Sequence, residues 1–270
     1  MDSNPRMEVT TKIGCSVRCS YCPQDVLIKA YKKTGGPMEL AMETFQKCLK
    51  NTPANMHITF NGMCEPWLNP HFTDMLLHTH ETRYVKGLST TLANTTLEDL
   101  SRIKHIPIDQ FTIHIPSDND DMHVTVDDNY LELLETAINT MARQPSVLYF
   151  GKVHPKIEPL LKNVKRKGRL WNLHNRACHL ESEIKRRRML TMCNFLHVGV
   201  LQPNGDVVLC CNDYGMQHVL GNLTKQNWES LYTGKEFQNI LLGWKDPSSE
   251  ILCWRCWNPR PRNSPKTELV

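Results

Sequence analysis

The sequence lacks long hydrophobic runs and a strong excess of either charge. No apolar stretch approaches the about 20 residues that cross a bilayer, and the segment Met1 to Met7 has no apolar signal-peptide core. Lys and Arg number 32 against 28 Asp and Glu, a net charge of +4, which provides no general basic coat for nucleic acid. These absences predict a cytoplasmic protein that binds neither membranes nor nucleic acid.

Cysteine, in contrast, is abundant, with eleven residues in a chain of 270. Disulfides are not expected in the cytosol, which keeps thiols reduced, and an odd number cannot pair completely. The thiols concentrate within residues 15–22 and 193–256, with only Cys48, Cys64 and Cys178 between these segments. Two separate clusters predict two metal sites.

Between the clusters, strand-like segments alternate with helix-like ones. Such alternation favours βαβ units and an α/β fold with a parallel sheet, either open or curled into a partial barrel. Active groups are then expected at the carboxyl ends of the strands. The predicted strands are Glu8–Ile13, His57–Asn61, Tyr84–Thr91, Gln110–Ile115, Ser146–Gly151 and Arg169–Leu173.

Several local signals add detail to this pattern. The segment 95–99 predicts a capping box at a helix start, and the turn 202–206 predicts a hairpin with the residues that follow it. One amphipathic helix is expected from Asn227 to Leu242, and Cys48, on an apolar helical stripe, is expected in the core. Residues 259–270 are expected to form a loose tail.

The first cysteine cluster follows the first predicted strand, with Cys15, Cys19 and Cys22 in a C-x3-C-x2-C arrangement. Three thiolates on one tight loop can hold three irons of a [4Fe–4S] cubane and leave the fourth iron without a protein ligand. Structural zinc sites use four ligands, so zinc is the weaker interpretation of this loop. An open iron indicates a chemical site.

This loop, with Tyr21 before the third cysteine, resembles the signature of the radical S-adenosylmethionine (SAM) enzymes. The segment Asn61 to Pro70 is similar to the Gly-Gly-Glu-Pro segment of that family, with Cys64 in place of the second glycine. The resemblance implies a partial (β/α)6 barrel over residues 1–188 and SAM as the cofactor bound to the open iron. The residues it assigns to SAM binding are Tyr21, Gly62, Met63, Cys64, Glu65, Thr90 and Ser117.

The second cluster combines a C-x2-C pair with two upstream thiols. Its residues alone leave zinc and iron–sulfur equally acceptable. Residues 189–258 resemble a SPASM domain in its short form, called twitch, and this resemblance implies one auxiliary [4Fe–4S] cluster. The choice between Cys210 and Cys211 stays open, with Cys210 favoured by its spacing from Gly205. The ligands so assigned are Cys193, Cys210, Cys253 and Cys256.

Weaker signals concern single residues. His114, on the polar face of a strand, is a candidate proton acceptor or a satisfied interior group. Arg176 is a candidate for holding an anionic substrate group or SAM, or a partner in a salt bridge. Cys64 and Cys178 are candidate hydrogen-atom donors or buried structural thiols.

In layout the chain most resembles the aminocyclitol and sugar dehydrogenases of the radical SAM group. That resemblance implies an oxidoreductase in which a 5′-deoxyadenosyl radical takes hydrogen from a small substrate and the auxiliary cluster accepts the electron, giving a ketone. It also implies a flavodoxin- or ferredoxin-like electron donor. The basic runs at 162–169 and 185–188 suggest an anionic or nucleotide-linked substrate.

Three other functions remain open from the sequence. A radical SAM epimerase is one, and a zinc-binding interaction module without catalysis is another. A peptide maturase is the third, and it is disfavoured because only 14 residues precede Cys15, whereas such enzymes often carry a leader-binding domain there.

Overall fold

The computed structural model describes residues 4–119, 121–170, 175–180, 190 and 193–257. Its described strands form one nine-stranded sheet in the order β6-β5-β4-β3-β2-β1-β7-β8-β9. The strands are β1 (Arg6–Val9), β2 (His57–Phe60), β3 (Tyr84–Thr90), β4 (Gln110–Ile115), β5 (Ser146–Phe150), β6 (Lys167–Leu170), β7 (Val198–Leu201), β8 (Asp206–Val208) and β9 (Val219–Asn222).

Strands β1 to β6 lie side by side in chain order and are all parallel. Helices connect them, except that a 3-10 helix, Glu158–Asn163, stands between β5 and β6. This arrangement confirms the α/β fold class and is consistent with a partial (β/α)6 barrel. The helices are α1 (Gln24–Lys32), α2 (Met42–Lys50), α3 (Phe72–Thr82), α4 (Leu97–Ile103), α5 (Asp128–Thr140), α6 (Trp228–Thr233) and α7 (Lys235–Lys245).

The sheet continues into the C-terminal segment. Strand β7 pairs in parallel with the free edge of β1, and β8 and β9 follow it in antiparallel order. The hairpin predicted at 202–206 is therefore confirmed. Because β1 lies between β2 and β7, the loop that follows β1 is placed between the barrel and the C-terminal segment. The predicted domain boundary at 188/189 remains a prediction, and the predicted tail lies outside the described residues.

The predicted strands match the observed ones closely except at the first and the sixth. The first was expected over Glu8–Ile13 but begins at Arg6 and ends at Val9. Beyond Thr10 the chain leaves the sheet because Ile13 N–H donates to Met38 O at 2.7 Å instead of to a neighbouring strand. The sixth strand was expected from Arg169 but begins at Lys167. Part of the sixth predicted strand, residues 171–173, lies outside the described residues.

The core confirms two local predictions. Cys48 is fully buried among the apolar side chains between the sheet and its helices. At the start of α4, Thr96 Oγ1 accepts the Asp99 N–H at 3.0 Å, and the Asp99 carboxylate accepts the Thr96 N–H at 3.0 Å. This capping box satisfies two backbone donors that the first turn of a helix leaves free.

The single helix expected over Asn227–Leu242 is wrong, because Gly234 divides it into α6 and α7. Gly234 is extended, with φ −70° and ψ 162°. The break lets Tyr232 and Phe237 meet edge to face with ring centroids 5.0 Å apart. In one continuous helix these residues, five positions apart, would point to different faces. Aromatic packing therefore overrides the amphipathic period.

No helix in the described part of the chain has the length and apolar character needed to cross a membrane.

Candidate functional site

A cavity of about 310 Å³ opens at the carboxyl ends of β1 to β3. Parallel sheets place their binding sites at this edge, because the loops that leave successive strands converge there. The cavity is lined by Glu8, Cys15, Val17, Cys19, Tyr21, Cys22, Gln24, Asn61, Gly62, Met63, Cys64, Glu65, Ser89, Thr90, Thr91, His114, Arg176, Cys211 and Tyr214.

The three cysteines of the first loop all line this cavity. Burial, together with the neighbouring thiols of Cys22 and Cys15, raises the pKa of Cys19 to about 12, against a hydrogen bond from Tyr21. The three sulfur atoms are therefore close enough to influence one another. Binding to cationic iron would replace their protons, as metal binding does at thiol sites in general.

The spread of these thiols fits a cubane. Within the described residues, no three Cys, His, Asp or Glu side chains converge closely enough to ligate one metal ion. A [4Fe–4S] cluster needs no such convergence, because each thiolate binds a different iron. The donor set is also of the right kind, since three thiolates without a fourth protein ligand leave one iron open.

Two backbone hydrogen bonds hold the cysteine loop in place. Ser20 N–H donates to Asp121 O at 2.8 Å, and His123 N–H donates to Val17 O at 2.6 Å. Both tie the loop to the segment that follows β4. The three thiols are thus positioned by the barrel and not by their own loop alone.

Side chains outside the three-cysteine motif contact Cys22. Gln24 Nε2 lies 3.4 Å from Cys22 Sγ and donates to Met63 O at 2.6 Å. Tyr214 Oη, from the C-terminal segment, lies 3.6 Å from the same sulfur. Gln24 therefore links the cysteine loop to the segment after β2, and Tyr214 links it to the segment after β8.

Glu65 joins the ends of β2 and β3. Its carboxyl oxygens accept from Thr90 Oγ1 at 2.6 Å, from Thr91 N at 2.6 Å and from Thr91 Oγ1 at 2.8 Å. Burial raises its pKa to about 7, and these hydrogen bonds oppose the rise. Thr90 lines the cavity as expected, but its hydroxyl donates to Glu65.

Gly62 lies where the loop after β2 crosses the end of β1. A Cβ atom added there would stand 2.3 Å from Val9 O and 2.7 Å from Thr10 N, both backbone atoms of a central strand. Only glycine fits this approach, which brings Met63, Cys64 and Glu65 to the cavity. Met63 N–H confirms the close contact by donating to Thr10 Oγ1 at 3.2 Å.

We expect Gly62→Ala to destabilise the protein strongly, because neither Val9 nor Thr10 can move without displacing β1. Overpacking at a rigid site costs about 1–3 kcal/mol and sometimes more, and this site should lie at the upper end. The midpoint of urea unfolding measures the effect. Gly215→Ala is the matched control, since a Cβ there meets nothing closer than 3.7 Å. Equal stability of the two variants would contradict the prediction.

Of two other residues predicted to contact SAM, Tyr21 and Ser117, one lines the cavity and the other does not. Tyr21 lines the cavity, and its ring lies 5.9 Å from that of Phe150. Ser117 is not among the lining residues, because its hydroxyl donates to the Asp121 carboxylate at 2.7 Å. The structure therefore brings Tyr21 to the site and leaves Ser117 in the turn that supports it.

His114 and Arg176 meet across the cavity, as both line it. Burial and, to a smaller extent, the Arg176 guanidinium lower the pKa of His114 to about 4. The imidazole is therefore neutral near pH 7 and has a lone pair that can accept a proton. Arg176 lies over the Tyr214 ring, 5.9 Å from its centroid.

The backbone that carries Arg176 is unusual. Arg176, Ala177 and Cys178 all have positive φ, at 47°, 54° and 65°, a conformation that costs energy in each non-glycine residue. The C-terminal segment holds this turn: Asn175 Nδ2 donates to Arg255 O at 2.8 Å, and Cys178 Sγ to the same oxygen at 3.2 Å. Cys178 is buried away from the cavity lining, which favours its interpretation as a structural thiol.

The C-terminal cysteines also gather. Burial raises the pKa of Cys253, and the nearby thiols of Cys193 and Cys256 add to the rise. Burial likewise raises the pKa of Cys210, with Cys211 and Cys253 as neighbours. Four thiols are a full ligand set for a cubane, so the residues present fit a closed auxiliary cluster.

Cys210 and Cys211 face different surroundings. Cys210 belongs to the apolar core, whereas Cys211 lines the cavity. Cys211 also lies near Cys256 and Glu8, and both neighbours raise its pKa in addition to the rise caused by burial. The structure thus places the favoured ligand away from the cavity and its neighbour inside it.

Sequence reasoning missed Glu8, Cys211 and Tyr214 as cavity residues. Glu8 carried a signal, since an acidic residue between Met7 and Val9 interrupts an apolar strand. Cys211 and Tyr214 carried none, because their distance from the first loop, close to 200 residues, is bridged only by the pairing of β7 with β1.

A family model matches part of the chain. The model, SPASM, is described as an iron–sulfur cluster-binding domain and matches residues 193–257. This segment contains all four C-terminal cysteines assigned as ligands. A search of curated proteins found no significant match.

Solved structures with a similar fold include three proteins whose sequences are 17% identical to this chain or less. BtrN in complex with AdoMet and 2-DOIA aligns with a TM-score of 0.61 and 17% identity, over 96% of this chain and 95% of BtrN. AdoMet-bound anSMEcpe aligns with a TM-score of 0.55 and 15% identity, over 87% of this chain and 82% of anSMEcpe. Streptococcus suis SuiB bound to precursor peptide SuiA aligns with a TM-score of 0.61 and 10% identity, over 94% of this chain and 69% of SuiB. The shared fold and the SPASM match confirm the resemblance seen in the sequence.

Proposed function

We propose that this chain, which carries a SPASM match and shares its fold with radical SAM enzymes, is itself a radical SAM enzyme with one auxiliary cluster. A single observation carries the proposal: the three thiols of the first loop and the SPASM residues Cys211 and Tyr214 line one cavity. A zinc-binding interaction module has no need of such a cavity. Reactive chemistry between two clusters requires it.

The cysteines of the two clusters form two proposed ligand sets. Cys15, Cys19 and Cys22 would hold the SAM-binding [4Fe–4S] cluster, and the four C-terminal thiols the auxiliary one. When bound, these clusters and SAM supply a radical that takes a hydrogen atom from a substrate carbon and an acceptor for the remaining electron.

The other residues of the cavity would bind and orient SAM and the substrate. The segment Gly62–Glu65 is fixed by backbone contact with β1 and by the Glu65 hydrogen bonds, so it presents a rigid edge to the SAM amino group. Tyr21 lines the same cavity, where its ring would pack against the adenine of SAM. His114 is neutral and sits in the cavity wall, so an imidazole nitrogen is available to take the hydroxyl proton when an alcohol is oxidised.

We assign a small carbohydrate-like or aminocyclitol-like alcohol as the substrate and a ketone as the product. A cavity of about 310 Å³ is at the small end of the range for ligand sites, and SAM occupies part of the same region. A free peptide needs a longer groove. BtrN, whose chain aligns with this one over 95% of its length, was solved in complex with 2-DOIA, and this likeness supports a small-molecule substrate.

The test uses anaerobically reconstituted protein with SAM, a chemical reductant and a panel of cyclitols and sugars. We expect 5′-deoxyadenosine and a ketone product in equal amounts, because one radical oxidises one alcohol. Formation of 5′-deoxyadenosine without any carbonyl product would reject the dehydrogenase. A protein that cleaves no SAM and holds stoichiometric zinc would reject the enzyme altogether.

An epimerase is the second candidate, and Cys211 favours it. A thiol that lines the cavity can return a hydrogen atom to the substrate radical, forming a C–H bond and a thiyl radical. The thiyl then needs one electron from an external low-potential donor and one proton from solvent. Deuterium from D2O at one product carbon, without loss of two electrons, would select this reaction.

A further inference from the structure

Glu8 presents an unused carboxyl oxygen to the cavity. It lies on β1, is only 7% exposed and lines the cavity. Its Oε2 is buried and has no hydrogen-bond partner among the described residues. Leaving a buried acceptor unpaired is costly, and native structures rarely do so. The missing donor is therefore expected from a bound molecule.

Arg176 supplies the opposite charge in the same cavity. Burial raises the pKa of Glu8 to about 7, and the Arg176 guanidinium opposes the rise, so above that pH the two side chains carry opposite charges. Among the described residues the two groups form no direct ion pair within 4.0 Å, so a gap separates their charged atoms in the shared cavity wall. The turn at 175–178 holds Arg176 in place.

The gap between these charges suits a hydroxyl group. A hydroxyl donates to a carboxylate and accepts from a guanidinium, so it satisfies both. A phosphate or carboxylate would meet attraction from Arg176 and repulsion from Glu8, and an ammonium the reverse. Because His114 is neutral, Arg176 is the one cationic side chain among the described lining residues.

We propose that Glu8 and Arg176 together bind the hydroxyl groups of a neutral polyol and select against anionic substrates. The proposal rests on the function proposed above and narrows its substrate class. It replaces the anionic or nucleotide-linked substrate suggested by the basic runs. Glu8 is the deciding residue, since without its charge Arg176 becomes an anion site.

The test measures binding without turnover. Protein with both clusters oxidised and SAM present is titrated calorimetrically with D-glucose, myo-inositol and glycerol, and with D-glucuronate as the anionic counterpart. We expect at least one neutral polyol to bind roughly tenfold or more tightly than D-glucuronate, the scale of one charged hydrogen bond. Equal binding, tighter binding of D-glucuronate, or no binding of any neutral probe would overturn the proposal.

Variants separate charge from shape. Glu8→Gln keeps the size and removes the charge, so the preference should shift toward D-glucuronate by roughly tenfold. Glu8→Asp keeps the charge and should keep the preference while weakening every affinity. Glu43→Gln, an exposed residue of α2, is the matched control and should change nothing. An unchanged ratio in folded Glu8→Gln would refute the role of Glu8.

The outcome is distinguishable from failure of the proposed function. Preference among probes is a property of binding, whereas the proposed function is judged by 5′-deoxyadenosine and product. If the protein cleaves SAM but prefers D-glucuronate, only the role of Glu8 and Arg176 in binding a neutral polyol is contradicted. If it prefers polyols but cleaves no SAM, only the proposed enzymatic function is contradicted.

Discussion

Cys19→Ala is expected to abolish SAM cleavage and to remove one of two clusters. Iron and acid-labile sulfide should fall from about eight of each per chain to about four, since one cubane has lost a ligand and the other is untouched. The physical reason is the ligand assignment proposed above, in which the three thiols of the loop are the whole protein ligand set and none is spare. Metal analysis after anaerobic reconstitution, with a 5′-deoxyadenosine assay, measures both effects.

The control for this variant is Cys48→Ala. Cys48, on α2, is fully buried in the core and does not line the cavity described above. Its loss costs packing but no ligand, so iron content and SAM cleavage should be retained. If Cys19→Ala kept all its iron, or if both variants lost iron equally, the first loop would not be a cluster site.

Cys210→Ala and Cys211→Ala are expected to give opposite results. Cys210 lies in the core beside Cys253, so its replacement should remove the auxiliary cluster and lower iron to about four per chain. Cys211 lines the cavity near Glu8, so its replacement should leave iron near eight and act on the substrate reaction instead. Both variants should still hold the first cluster.

This pair also decides between the two reactions. If Cys211→Ala keeps both clusters and still yields a ketone, the thiol is not needed and the dehydrogenase stands. If it keeps both clusters but stops deuterium incorporation from solvent, the epimerase stands. Loss of iron from Cys211→Ala with full iron in Cys210→Ala would reverse the ligand assignment drawn from the spacing after Gly205.

The fold was predictable because its signals are local. Alternating apolar residues predicted four of the six parallel strands to within one residue, and the Thr96–Asp99 capping box was readable from four letters. The errors arose where long-range contacts compete with local pattern. Ile13 leaves the sheet to pair with Met38, and Gly234 breaks a helix so that Tyr232 packs on Phe237.

From the sequence, the position of the candidate site was predictable only for residues that lie together on one short loop. The spacing of Cys15, Cys19 and Cys22 predicted three gathered thiols, and all three line the cavity. Ser117 was assigned by its position at a strand end, but its side chain turns to Asp121. Spacing along a chain reports which loop a residue belongs to and does not report the direction of its side chain.

The sequence by itself determined the class of chemistry, because thiol ligands must be supplied as cysteines at spacings that a short loop can close. Tertiary structure alone decided what stands opposite those thiols. The pairing of β7 with β1 brings Cys211 and Tyr214 to the first loop, and the turn held by Arg255 aims Arg176 toward Glu8. Contacts between residues so far apart depend on how strands pair in the sheet, which residue spacing alone does not specify.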